Sequence, residues 1–153
     1  MRIVDIAGYE GLYAIDELGN VYSYKFGKVK KLKSWISALG YFTVELQKDK
    51  CRKVFCIHRL LAKAFFSNYS DDLQVDHIDR DRANNKLDNL RMVTPQENTF
   101  NRTGTKGYHW REKRKKWQAY ICRDKKWMHL GYFDKEEDAR KAYLAAKKIY
   151  HVI

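Results

Sequence analysis

The sequence predicts an α+β fold, and three patterns carry that prediction. Short alternating apolar runs broken by glycine turns fill the first third. A strand–loop–strand–helix unit occupies the middle. Three strand-like runs followed by an alanine-rich helix close the chain. The expected architecture is a ββα core flanked by a small N-terminal antiparallel sheet and by a C-terminal three-stranded sheet packed on one helix. The expected domains are 1–53, 54–102 and 106–153.

In the first stretch, Gly8-Tyr9-Glu10-Gly11-Leu12-Tyr13 leads into Ala14-Ile15-Asp16, and Leu18-Gly19-Asn20 turns into Val21-Tyr22-Ser23-Tyr24. A second pairing joins Tyr41–Leu46 to Arg52–Phe55. The loop between the two pairings carries the basic run Lys28, Lys30, Lys31 and Lys33, ending near Trp35. Ile57, Leu60, Leu61, Ala64 and Phe65 then recur at helical spacing. Gln74–Ile78 and Asn89–Val93 read as strands around the polar loop Asp79–Asp88. Thr94-Pro95-Gln96-Glu97 announces a helix, with Thr94 as cap, Pro95 where proline is favoured and Glu97 completing a capping box. Asn98 therefore falls in the first helical turn. Asn101–Lys106 reads as a linker. Beyond it, Tyr108–Arg111, Lys116–Arg123 and Trp127–Gly131 read as strands. A last helix is expected to start at Asp134, capped with Glu137, with the stripe Ala139, Ala142, Tyr143, Ala146, Ile149 and Tyr150.

Composition narrows the function. The chain has 31 Lys+Arg against 19 Asp+Glu, a net charge of +12, and that field favours a polyanion such as nucleic acid. No apolar run approaches the ~20 residues a spanning helix needs, and Met1–Tyr9 lacks the order of a signal peptide. No membrane partner is expected. Cys51, Cys56 and Cys122 form no C-x-x-C pair, which argues for a reducing cytoplasm and against a disulfide framework or a structural zinc site.

Asp76-His77 lies on an apolar strand between Val75 and Ile78. Asn89 follows His77 by 12 positions and Asn98 by 21. A unit this short folds its helix back across the hairpin, so Asp76, His77 and Asn98 are expected to converge. Asp and Asn oxygens are hard ligands suited to Mg²⁺, Mn²⁺ or Ca²⁺. A neutral histidine beside such an ion takes a proton from water near neutral pH. Asn89 has donor and acceptor groups with which to pin the loop and orient His77.

Val75-Asp76-His77-Ile78-Asp79, Asn84-Asn85, Asp88-Asn89-Leu90-Arg91 and Val93-Thr94-Pro95-Gln96-Glu97-Asn98 together resemble an HNH homing endonuclease of the phage and intron type. His58-Arg59-Leu60 and Ala64-Phe65 match the helix that precedes that motif. Gly8–Tyr13 and Leu18-Gly19-Asn20-Val21 resemble the strand-rich motif often fused ahead of it. The resemblance implies a ββα-metal (His-Me finger) core that hydrolyses DNA phosphodiesters. His77 would be the general base and Asn89 its orienting partner. Asp76 and Asn98 would hold one divalent ion, Mg²⁺ or Mn²⁺, and Arg91 would contact the DNA. The position that is often a second histidine is here Asn98. Lys30 and Lys31 are further candidates for phosphate contact.

Lys106-Gly107-Tyr108, Lys116-Trp117-Gln118-Ala119, Leu130-Gly131-Tyr132-Phe133 and Glu136-Glu137-Asp138-Ala139 with Ala142-Tyr143 resemble the Apetala-two (ethylene-response-factor) DNA-binding domain. Its DNA-facing positions would fall on His109, Arg111, Lys113, Tyr120, Trp127 and His129. Ala119 and Ile121 should face the helix, leaving Gln118, Tyr120 and Cys122 on the opposite side. The expectation is a monomer acting on double-stranded DNA, in a host cytoplasm if phage-encoded, and favouring a nick because it has one active site. The rival expectation is a non-catalytic DNA-binding regulator.

Overall fold

The computed structural model describes residues 1–101 and 106–151; the interior of the expected linker, 102–105, lies outside them. The chain divides into two compact units, Met1–Pro95 and Gln96–Ile153. No helix among the described residues is long and apolar enough to cross a membrane.

The first unit opens with an antiparallel sheet of β1 (Ile3–Asp5), β2 (Tyr13–Asp16), β3 (Val21–Ser23) and β4 (Lys30–Lys31), hydrogen-bonded in that order. Lys30 and Lys31 thus stand on a short edge strand rather than in the loop expected from sequence. Charged edges of this kind resist pairing with other chains. A second sheet holds β5 (Trp35–Ile36), β6 (Phe42–Lys48) and β7 (Cys51–Cys56). Asp49 and Lys50, both at positive φ, make the two-residue turn between β6 and β7. Helix α1 (Ile57–Phe65) follows directly. Then comes the hairpin of β8 (Gln74–His77) and β9 (Leu90–Val93); helix α2 (Pro95–Phe100) begins at the last residue of this unit and belongs otherwise to the second. Asn89 belongs to a 3₁₀ turn, Leu87–Asn89, just before β9 rather than to the strand itself.

One hydrophobic core joins these pieces. Ile57, Leu60 and Leu61 of α1 are buried among Ile15, Val21, Val44, Leu46 and Leu90, one or two from each flanking element. Asp16 is fully buried at the corner of β2. Its carboxylate accepts hydrogen bonds from the Leu18 and Asn20 amides, the Asn20 side chain and the Tyr22 hydroxyl at 2.8–3.0 Å. Burial pushes its pKa up, but the hydrogen bonds outweigh burial and hold the carboxyl below its ordinary value. Gly19 fixes the same corner: its φ is +81°, and a Cβ there would stand 2.7 Å from Ile57 Cγ2.

The second unit packs β10 (Tyr108–Arg111), β11 (Lys116–Arg123) and β12 (Lys126–Phe133), an antiparallel sheet in chain order, on α3 (Glu136–Tyr150). Contacts run from Ile121, Met128 and Leu130 to Tyr143 and Ala146. Ala119 and Ile121 are buried beneath the helix, as the alternation predicts. A Cβ on Gly107 would stand 2.2 Å from the Tyr143 ring, so a side chain there would hold β10 off the helix.

Three details differ from the sequence reading. β12 runs to Phe133 because Tyr132 and Phe133 pair with Gln118 and Trp117. α3 starts at Glu136 with Lys135 at its N-cap and no side-chain cap; Asp134 instead pairs with Lys116 at 3.2 Å. Ile149 is exposed, one step off the buried face of Ala139, Tyr143 and Ala146.

Gly19→Ala should destabilise the first unit by about 2–3 kcal/mol, because it adds both a disfavoured φ and a clash with Ile57. A urea midpoint unchanged from the parent would contradict this role for Gly19.

Candidate active site

Asp76 and His77 end β8 and are both buried. The antiparallel register sets Asp76 opposite Arg91 and His77 opposite Leu90. Arg91 uses that register: its Nε and Nη2 both donate to Asp76 Oδ2, at 2.9 and 2.8 Å. Arg91 is therefore paired with the neighbouring carboxylate, with about a quarter of its side chain exposed. A buried carboxylate left without such a partner is costly to the fold.

His77 Nε2 donates to Asn85 Oδ1 at 3.0 Å. Two more rings crowd it. His58, from the first turn of α1, lies edge-on with centroids 5.0 Å apart. Tyr41, the residue before β6, lies 6.0 Å from His77 and 4.8 Å from His58. His58 is itself buried, and its Nδ1 has no hydrogen-bond partner. Burial, with smaller contributions from His77 and Arg59, drives its pKa down to about 3, so the folded protein keeps this ring neutral.

The loop between β8 and β9 is held by its own polar side chains. Asn89 Nδ2 donates to Asp79 Oδ1 at 2.9 Å and to the Asn84 carbonyl at 2.8 Å. Asn89 Oδ1 accepts from the Asp79 amide at 3.1 Å. Asn84 Nδ2 donates to Asp79 Oδ2 at 2.7 Å. The amides of Asn84 and Asn89 hold the Asp79 carboxyl below its ordinary pKa. Arg82 ties the loop to the β5–β6 turn, donating to the Leu39 carbonyl at 2.8 Å and lying 5.0 Å from the Tyr41 ring centroid.

Asp76, His77, Asn89 and Arg91 are thus gathered in and around one hairpin of the first unit, while Asn98 stands on α2 in the second. Asn89 fastens the loop, and Asn85 hydrogen-bonds the His77 ring directly. Sequence reasoning assigned no role to Asn85 or His58. The Asn-rich loop was the available signal for the first, and a histidine on the buried face of an amphipathic helix for the second. Among the described residues, no group of three or more His, Cys, Asp or Glu is gathered so as to hold a metal ion.

A second surface lies in the second unit. His109, Arg111, Tyr120, Trp127 and His129 share the sheet face turned away from α3 and line one shallow hollow with Gln118. The rings lean on one another: His109 is 5.3 Å from Tyr120, and Tyr120 is 5.0 Å from Trp127. Arg111 Nε donates to Gln118 at 2.6 Å. A register shift, with Ala119 opposite Gly131 but Tyr120 opposite His129, brings Tyr132 onto this face, 4.7 Å from His129. Arg114 stacks over Tyr132 at 4.7 Å. Lys113 is exposed in the 3₁₀ turn between β10 and β11.

The β8–β9 hairpin of the first unit thus carries a buried Asp-His pair and an asparagine-braced loop. Residues 56–100 match the HNH endonuclease family model, and residues 3–47 match the NUMOD4 motif. The chain carries an HNH endonuclease domain preceded by a NUMOD4 motif. It is similar to DNA endonuclease I-HmuI of Bacillus phage SP01, 44% identical over 101 residues, covering 66% of this chain and 57% of that protein. It is also similar to H-N-H endonuclease F-TflII of Escherichia phage T5, 34% identical over 98 residues, covering 63% and 50%. The solved structure of the HNH homing endonuclease I-HmuI, described for its DNA binding and cleavage, superposes with a TM-score of 0.61 at 44% identity, covering 66% of this chain and 57% of that one. The chain spans about half the length of these relatives.

His58 gives the site a pH signature. Its folded-state pKa lies below the unfolded value of 6.5, so between about pH 6.5 and 3 the unfolded chain binds a proton that the folded chain does not. Stability should fall as pH falls through that window, by up to ~1.4 kcal/mol per pH unit from this group. His58→Phe should flatten the acid limb of a stability–pH curve; an unchanged slope would show that His58 does not set it.

Proposed function

We propose that this protein is a metal-dependent homing-type DNA endonuclease that hydrolyses phosphodiester bonds with little sequence stringency, leaving 5′-phosphate and 3′-hydroxyl ends. The observation that carries the reading is the buried Asp76–His77 pair, with its loop braced by Asn89, inside the stretch that matches the HNH endonuclease model. His77 Nδ1 takes the proton from the attacking water, while Asn85 on Nε2 holds the ring in that tautomer. Asn89 keeps the loop, and so Asn85, in place. Arg91 fixes the Asp76 carboxylate through Oδ2.

Asp76 and Asn98 are the residues that would hold one divalent ion. Their oxygen donors would suit Mg²⁺ or Mn²⁺. Bound there, the ion supplies charge neutralisation at the phosphate and at the departing 3′ oxygen.

The pieces divide by task rather than by packing: 1–53 supplies phosphate contacts through Lys30 and Lys31, 54–102 cuts, and 106–153 reads the duplex. The last piece works as an Apetala-two-type module, its sheet entering the major groove with His109, Arg111, Tyr120, Trp127 and His129 toward the bases and Lys113 at the backbone. The partner is double-stranded DNA, encountered in a host cell if the gene is phage-borne. A monomer with one such site nicks.

A plasmid library incubated with Mg²⁺ or Mn²⁺, followed by strand-resolved end mapping, should yield nicks that EDTA abolishes. His77→Ala should cut roughly 10²- to 10⁴-fold more slowly. Metal-independent binding with no scission would leave a DNA-binding regulator in place of an enzyme. The Lys30→Ala/Lys31→Ala variant should flatten the log K against log salt slope by about 0.9 for each phosphate the protein no longer neutralises. An unchanged slope would remove β4 from the interface.

A further inference from the structure

Phe26 is the most exposed large apolar side chain among the described residues, at 96%. It sits at the tip of a tight turn, Lys25–Lys28, closed by the Lys28 amide donating to the Lys25 carbonyl at 3.3 Å. Its backbone is left-handed, φ 59° and ψ 30°, and Gly27 follows at φ 67°. Two successive positive φ values make a turn whose first central position favours asparagine, aspartate or glycine. The chain obeys that preference elsewhere: the two-residue turns at Asp49-Lys50 and Asp124-Lys125 both put aspartate there. Here a phenylalanine occupies the strained position, and almost none of it packs on the protein. A bulky side chain at positive φ is an outlier that folding does not explain.

Looseness does not explain it either. Lys25, next to Phe26, is anchored twice: its ammonium donates to the Gln47 carbonyl and lies 4.9 Å from the Tyr13 ring centroid. Tyr24 donates its amide to the Leu12 carbonyl at 2.9 Å. Tyr13 is buried and exchanges hydrogen bonds with the Gln47 backbone at 3.1 and 3.2 Å. The tip is thus a rigid projection. Its surroundings are cationic: Lys28, Lys30, Lys31 and Lys33 are all exposed, and no acidic residue occurs between Glu17 and Glu45. Val29, 67% exposed, extends the apolar point.

We propose that Phe26 is a DNA wedge, inserting between two stacked base pairs while Lys28, Lys30, Lys31 and Lys33 hold the phosphates on either side. An apolar ring carried on a preformed cationic turn is how minor-groove proteins unstack and bend a duplex. The strained backbone keeps the ring out of the protein's own surface and presented to the helix. This inference rests on the DNA-binding reading above and adds to it a deformation of the duplex at a distance from the cutting chemistry.

The test reads unwinding rather than cleavage. Closed circular plasmid is relaxed by a metal-independent type I topoisomerase in EDTA, with and without the full chain. The wild type should shift the topoisomer distribution in proportion to bound protein. Phe26→Asn suits the turn better, so it should melt at the same temperature or higher. It should keep the wild-type salt slope, bind the plasmid roughly tenfold more weakly, and at equal occupancy leave the topoisomers unshifted. Phe26→Trp should retain the shift. Unwinding by Phe26→Asn equal to that of the wild type would overturn the wedge while leaving the nuclease reading intact. So would Phe26-dependent binding to phosphatidylserine vesicles with no unwinding of DNA. Failure of the wild type to bind duplex at all would overturn the DNA-binding reading itself.

Discussion

The first unit depends on the burial of α1. Nine residues are too few for a helix to persist alone in water. What holds it is the enclosure of Ile57, Leu60 and Leu61 by Ile15 and Val21 from the first sheet, Val44 and Leu46 from the second, and Leu90 from the hairpin. Removing any contributor exposes a face of the same helix. The same first turn directs His58 toward His77, so the geometry around the catalytic candidate is tied to core packing. The N-terminal strands are therefore structural members of the unit that carries the Asp-His pair.

Around that apolar centre the polar groups are used economically. A loop of about ten residues with almost no apolar content has to be ordered by hydrogen bonds of its own. Asp79, Asn84 and Asn89 accept and donate in a closed set that crosses the β8–β9 hairpin. Short amide and carboxylate side chains suit this because they reach backbone groups two to five residues away. Asn85, carried on the braced loop with its amide donating to the Ala83 carbonyl at 3.1 Å, then arrives beside His77. Asp76 and Arg91 need no loop, since the strand register alone sets them opposite each other.

These differences in origin explain what the sequence made legible. Elements fixed by local periodicity were readable: α1 from its apolar stripe, both β8–β9 strands, and the face of β11 that buries Ala119 and Ile121. Asp76 and His77 were readable because a known motif surrounds them. Features that depend on closure over a longer span were not. The His58–His77 contact joins residues nineteen positions apart and appears only when α1 docks. The Arg91–Asp76 pair required the exact register, without which Arg91 reads as a surface charge. The register shift opposite Ala119–Tyr120 was invisible for a similar reason. An extra residue in one strand leaves the apolar count almost unchanged, yet it decides that Tyr132 joins His129. At α3, Asp134 had the composition of a cap, but Lys116 lies close enough to claim its carboxylate instead.

The two units solve opposite problems with the same means. In the first, bulk aliphatic side chains fill a core and the polar side chains of Asp76 and His77 are enclosed. In the second, small residues do the work: Ala119, Ala139 and Ala146 are buried, and glycine at 107 admits the Tyr143 ring. Close approach of helix and sheet lets one thin layer of contacts stabilise the sheet from a single side. The opposite side is left to the rings of His109, Tyr120, Trp127 and His129. Exposed aromatic rings are mobile unless something restrains them, and each of these is restrained by its neighbour. A sheet surface whose rings already hold one another has little side-chain conformational entropy left to lose in any contact made on that face.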